Sequence, residues 1–168
     1  MFTLAILNYI VMEMIDERLP KNKHEKQVCE VLTKYCNRIE YMGKSNTLHT
    51  YTLFRSFQKN TIFLQPPYKN IVNNERYSDI AFYMPNKGID CRIEVKSLET
   101  TSEMKNFVYP LVRDVKHIPE KELILTLFGK GYDNEIMVRL KQDIESEKLP
   151  ITIIRSIKQF EKYMKRKM

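Results

Sequence analysis

Residues 77–97, YSDIAFYMPNKGIDCRIEVKS, contain an aspartate, a glutamate and a lysine whose spacing can do chemistry. Pro85, Asn86, Lys87 and Gly88 form a turn signal between two alternating stretches, about 77–84 and 89–96, that read as a strand pair. Closed symmetrically about Asn86 and Lys87, the ribbon pairs Met84 with Ile89 and, further back, Asp79 with Glu94; Lys96 follows on the same face. The opposite face is apolar, with Ile80, Phe82 and Met84 against Ile89, Cys91, Ile93 and Val95, which favours this register over a one-residue slip. A three-residue loop with a bulge at Gly88 would shift the pairing. Carboxylates directly opposite one another, with Cβ atoms roughly 4.5–5.5 Å apart, repel unless a cation lies between them. Either Lys96 or a divalent metal meets that need. Hard oxygen ligands suit Mg²⁺ or Mn²⁺, which keep several waters and let a substrate phosphate complete the shell, while the lysine orients a water or neutralises a phosphate oxygen.

Other elements must hold this ribbon in place. The 168 residues (20.2 kDa) are enough for one domain that buries a core without disulfides, and 43% apolar with 29% charged residues excludes disordered or collagen-like chains. A helix is expected over Asn22–Asn37, where Val28, Val31, Leu32, Tyr35 and Cys36 recur at helical spacing behind an Asn cap. Between Glu40 and Leu64 the β-branched and aromatic content rises and TLHTYTLF alternates, so one or two strands are expected before LQPPYKN breaks the run. After the ribbon come a polar stretch, SLETTSE, a helix over about 103–116 bent at Pro110, and a buried strand, ELILTLF. GKGYDN reads as a turn, IMVRLKQDIESE as a helix, ITIIRS as a strand and IKQFEKYMKRKM as a basic amphipathic helix. The whole is an α/β fold with a mixed sheet and flanking helices, in a single domain over 1–168: an N-terminal helix (1–20), a core (22–128) and a C-terminal extension (129–168).

Asp79 and the Glu94-Val95-Lys96 triplet resemble the signature of the PD-(D/E)XK nuclease superfamily, the restriction-endonuclease-like proteins. That signature is an acid on one strand and an acid-x-Lys triplet on the next; Ser78 stands where the name has proline. KNKHEKQVCEVL resembles the helix that often precedes the family's first core strand, with Glu25 as its acid and Glu30 as the weaker alternative. The resemblance spans about 22–128 and identifies no subfamily. It implies an αβββαβ core and metal-dependent hydrolysis of phosphodiesters, in DNA rather than RNA. Asp79, Glu94 and the Val95 carbonyl would hold Mg²⁺ or Mn²⁺, Lys96 would position the water, and Glu25 would assist metal or water.

Charge adds a partner. Residues 21–69 carry nine bases against three acids and residues 155–168 six against one, within a net charge of +7, so two basic segments flank a mildly acidic middle. Such a pattern suits a nucleic acid held over carboxylates, with Lys21, Lys23, Lys26, Lys162, Lys165 and Arg166 as the candidate backbone contacts; solvated helix faces would produce the same counts. Three Cys without a CxxC pair argue against a disulfide framework and a Cys-rich zinc site, and for a reducing, cytoplasmic setting. MFTLAILNYIVMEMI lacks a basic n-region and a cleavage site and is too short to span a bilayer, so a buried or dimer-forming helix ending near Arg18 is expected, and no membrane. His24, His49 and His117 have no ligand spacing, Ser78 and Ser97 have no His nearby in sequence, and GKG lacks the rest of a P-loop. Tyr41, Tyr51 and Tyr68 are candidates to stack on bases, and Ser97 and Glu99 to line the cleft.

Three readings follow: a metal-dependent nuclease, a nucleic-acid-binding module of the same fold without turnover, and an interaction or scaffold protein whose hairpin face is merely solvated. A homodimer or a partner supplying specificity is compatible with each.

Overall fold

The computed structural model describes residues 22–36, 38–43, 47–57, 59–130 and 134–168. The expected helix over 1–20, Lys21 and residues 131–133 of the GKGYDN turn lie outside them. The elements in chain order are α1 (Lys23–Thr33), β1 (Ile39–Tyr41), α2 (Leu48–Ser56), β2 (Thr61–Leu64), β3 (Pro67–Lys69), β4 (Glu75–Tyr77), β5 (Ile80–Met84) and β6 (Ile89–Ser97). A composite helix, α3, follows, made of Thr101–Glu103, a π-helical turn Met104–Val108 and Tyr109–Asp114. The chain ends with β7 (Glu122–Phe128), α4 (Asn134–Ser146), β8 (Ile151–Ile154) and α5 (Ile157–Lys167).

Six strands make one mixed sheet in the order β1-β2-β5-β6-β7-β8, so the α/β class and flanking helices agree with the sequence. β5 pairs antiparallel with β2 and β6, whereas β1–β2, β6–β7 and β7–β8 are parallel; β3 and β4 form a separate two-stranded hairpin. The β5–β6 register runs from Met84↔Ile89 to Ile80↔Ile93, which is the symmetric pairing expected. Its turn is a 3₁₀ turn, Pro85–Lys87, closed by Gly88 at φ 67°, a left-handed conformation that suits glycine.

Residue alternation sorts the two faces. Ile80, Phe82, Met84, Ile89, Cys91, Ile93 and Val95 pack with Val28, Leu32, Phe160 and Met164, so α1 and α5 cover one face. On the other, Leu123, Leu125 and Leu127 meet Met104, Val108, Ile136 and Leu140 of α3 and α4, while Phe63 and Ala81 meet Tyr51 of α2. β7 is buried on both sides along ELILTLF, as a parallel interior strand must be. Gly129, at φ 105°, presses so close to the Leu98 carbonyl that a Cβ would collide with it, which lets the ends of β6 and β7 stay together.

Two local expectations need correction. TLHTYTLF is not a strand: Leu48–Ser56 is helical, because Thr47 caps it by accepting the Thr50 N–H at 3.3 Å. Leu48, Tyr51 and Phe54 then share a helical stripe against Phe63 and Ala81, and that burial outweighs the alternation. The distortion of α3 lies mainly in its π-helical turn, one turn ahead of Pro110 at the start of Tyr109–Asp114. Tyr51 and Tyr68 are buried at 0% and 5% exposure, so neither is available to stack on a base; Tyr41 is exposed.

Candidate metal and phosphate site

The acids and the lysine meet at the end of the sheet where β6 and β7 finish. Asp79 sits just outside the ladder, one residue before β5, and does not pair backbone to backbone with Glu94. Its Oδ2 instead accepts the Val95 N–H at 2.7 Å and a bond from Lys96 Nζ at 3.1 Å. Lys96 Nζ also lies 3.0 Å from Glu94 Oε2. The ammonium therefore occupies the place between two carboxylates where a cation is needed. Because the N–H and C=O of one strand residue leave on the same side, the Val95 carbonyl faces the gap that β5 vacates, beside Asp79.

The third acid comes from α1. Asn22 caps this helix, accepting the His24 N–H at 3.0 Å, and its amide donates to Glu25 Oε1 at 3.1 Å. Glu25 is 6% exposed, and burial followed by the charge of Asp79 pushes its pKa up to about 7, against the pull of Lys96. Glu94 behaves alike: burial and then Asp79 push it up to about 7, with Lys96 opposing. Burial disfavours the Lys96 ammonium, but Glu94 and Asp79 outweigh it and its pKa rises. The arrangement is partly open, with the side chains of Asp79 and Lys96 20% and 25% exposed and Glu94 3%.

Donor chemistry fits a hard divalent cation. Three carboxylates act on one another here, and the Ser78 hydroxyl and Lys96 bond to Glu94 without removing the repulsion from Asp79, which a divalent cation would offset. As the side chains stand, no three His, Cys, Asp or Glu groups among the described residues are close enough together to hold a metal. Lys96 fills that space. Glu30 does not join the group, and Glu99 bonds by its N–H to Glu103 in the cap of α3.

Sequence reasoning missed two features. His24 Nδ1 and Ser97 Oγ share a hydrogen bond of 2.7 Å across 73 positions, and the imidazole stacks on Phe128 at 4.1 Å. This tie pins α1 to the ends of β6 and β7, and no local spacing signals it. Arg92 is 1% exposed and ion-paired with Glu120. Its place two residues before Glu94, on the same strand face, was the available clue.

The expected backbone contacts are divided. Lys23 is exposed at the start of α1, near Glu25, and Lys26 is half-buried there. Lys162, Lys165 and Arg166 are exposed on α5, whose end lies at the opposite edge: Lys167 bonds Glu122 at the start of β7, and Lys87 in the β5–β6 turn bonds the Met168 carbonyl. The length of β7 puts that end roughly 20 Å from the site. A groove of about 560 Å³ lies there, lined by Lys87, Lys121, Glu122 and Lys167.

No helix among the described residues is long and apolar enough to cross a membrane. No protein-family model matches the chain, and neither a curated protein nor a solved structure matches it significantly.

Proposed function

We propose that the chain is a metal-dependent nuclease that hydrolyses phosphodiester bonds in DNA at the rim formed by Glu25, Asp79, Glu94 and Lys96. One observation carries the reading: carboxylates from α1, from the residue just before β5 and from β6 act on a single lysine at a partly open end of the sheet. A solvated salt bridge would not need Glu94 buried, with its side chain 3% exposed, beside a second carboxylate. Mg²⁺ or Mn²⁺, when bound, would supply Lewis acidity and offset the charge that builds on the phosphoryl oxygens. Asp79, Glu94 and the Val95 carbonyl are the residues to hold it. Lys96, released from bridging the two acids, is then free to orient the attacking water or neutralise a phosphate oxygen, and Glu25 orients that water from the α1 side.

The test is cleavage of DNA with and without Mg²⁺. Wild type is expected to cut only with the metal, and Asp79→Ala or Lys96→Ala to lose at least about 100-fold in rate while keeping the wild-type circular dichroism spectrum. Unchanged cleavage by either variant overturns the reading. A second reading, binding without turnover, is favoured by Lys96 already neutralising both carboxylates; salt-sensitive DNA binding with no metal-dependent product would select it.

A further inference from the structure

We propose that Arg92 is a positioning residue for Asp79, acting through the hydroxyl of Ser78; the kinetic consequence of this rests on the nuclease reading, the geometric one does not.

The Arg92 guanidinium is fully buried and makes five hydrogen bonds, one for each of its N–H groups. Nε donates to Glu120 Oε2 at 2.6 Å, and Nη2 to Glu120 Oε1 at 3.0 Å and the Pro67 carbonyl at 3.1 Å. Nη1 donates to the Pro66 carbonyl at 2.9 Å and to Ser78 Oγ at 2.8 Å. Glu120 in turn accepts the Tyr51 hydroxyl. A buried ion pair is weak evidence for stability, because apolar residues of similar volume often serve as well. Its partners are more informative. Pro66, Pro67 and Ser78 are the two ends of the excursion that carries the β3–β4 hairpin, and Arg92 clamps them together.

That clamp decides where β5 begins. Gln65 sits at φ 52°, and bonds from Ser78 N–H to the Pro66 carbonyl and from Gln65 N–H to the Asp79 carbonyl hold the two ends against each other. The β5–β6 ladder stops at Ile80↔Ile93, which leaves the Val95 N–H to the Asp79 carboxylate. Arg92 is on the same strand and face as Glu94 and Lys96, so it references Asp79 to the strand that carries the other two groups. Ser78, which departs from the resembled motif, now has a role that proline lacks the hydroxyl to fill.

Ser78→Ala and Ser78→Thr test this by amide hydrogen exchange on the metal-free protein and by steady-state cleavage of DNA with Mg²⁺. In Ser78→Ala the Val95 amide is expected to exchange about tenfold faster while Ile93 and Leu125 keep their protection, and kcat to fall about tenfold with KM within about twofold. Ser78→Thr, which keeps the hydroxyl, should restore both. Val95 protection unchanged in Ser78→Ala, or lost equally along β5 and β6 in both variants, overturns the proposal. Should wild type not cleave, the nuclease reading fails by itself, and selective exposure of Val95 still supports the positioning role.

Discussion

The carboxylate of Asp79 accepts the backbone N–H of Val95 at 2.7 Å, so the first acid of the site is joined to the acid-x-Lys triplet through its middle residue. Strand pairing alone would have set Asp79 opposite Glu94. Asp79 instead lies off the ladder, and Lys96 reaches both carboxylates, at 3.1 and 3.0 Å.

Lys96→Met removes the only cation seen between Asp79 and Glu94 among the described residues. The variant is expected to lose about 1–2 kcal/mol, or roughly 3–6 °C in Tm, and to regain more of it from Mn²⁺ than wild type does, since the unbalanced acids then favour an added cation. Thermal melts with and without Mn²⁺ read this directly. Equal stabilisation of both proteins by Mn²⁺ would count against a cation site.

Stability of the metal-free protein should fall as pH rises from about 5 to 7.5. Burial and the charge of Asp79 push Glu25 and Glu94 up to about 7 from 4.5, so between these values the native state binds more protons than the unfolded one. The penalty for ionising them is absent below the ordinary value and complete above the raised one. Glu25→Gln should flatten the slope of Tm against pH, and Mn²⁺ binding, which competes with protons, should tighten over the same range.

Arg92→Met leaves the Glu120 carboxylate buried without its ion-pair partner and is expected to cost about 3–5 kcal/mol by urea denaturation. Arg92→Met with Glu120→Met should recover most of that loss. A double variant no more stable than the single one would mean that the two residues are not energetically coupled.

Replacing Lys162, Lys165 and Arg166 together by Ser should leave the cleavage rate at saturating DNA unchanged, because α5 ends at the far side of the sheet. If the strand backbone reaches that far, affinity drops and the slope of log K against log salt becomes shallower by about 2–3. A fall in kcat would place these side chains near the chemistry, contrary to the fold.

Legibility differed by element. The β5–β6 register could be read because a period of two leaves one way to bury Ile80, Phe82, Ile93 and Val95 together, and the turn residues agreed with it. ELILTLF was readable as a buried strand for the same kind of reason. TLHTYTLF misled because its alternating composition is compatible with a strand, and only the packing of Tyr51 on Phe63, with the Thr47 cap, decides for a helix.

The sequence by itself determined the pairing of the ribbon, the carboxylate and amine chemistry of Asp79, Glu94 and Lys96, and the presence of an acid at Glu25 on a capped helix, since these depend on local periodicity and residue type. Tertiary structure alone decided that Asp79 leaves the ladder, that Arg92, paired with Glu120, bonds both ends of the loop before it, that His24 meets Ser97, and that the basic end of α5 lies away from the site. Those are relations between segments distant in the chain, set by which faces pack together and which buried polar groups find partners, and no spacing along the sequence encodes them.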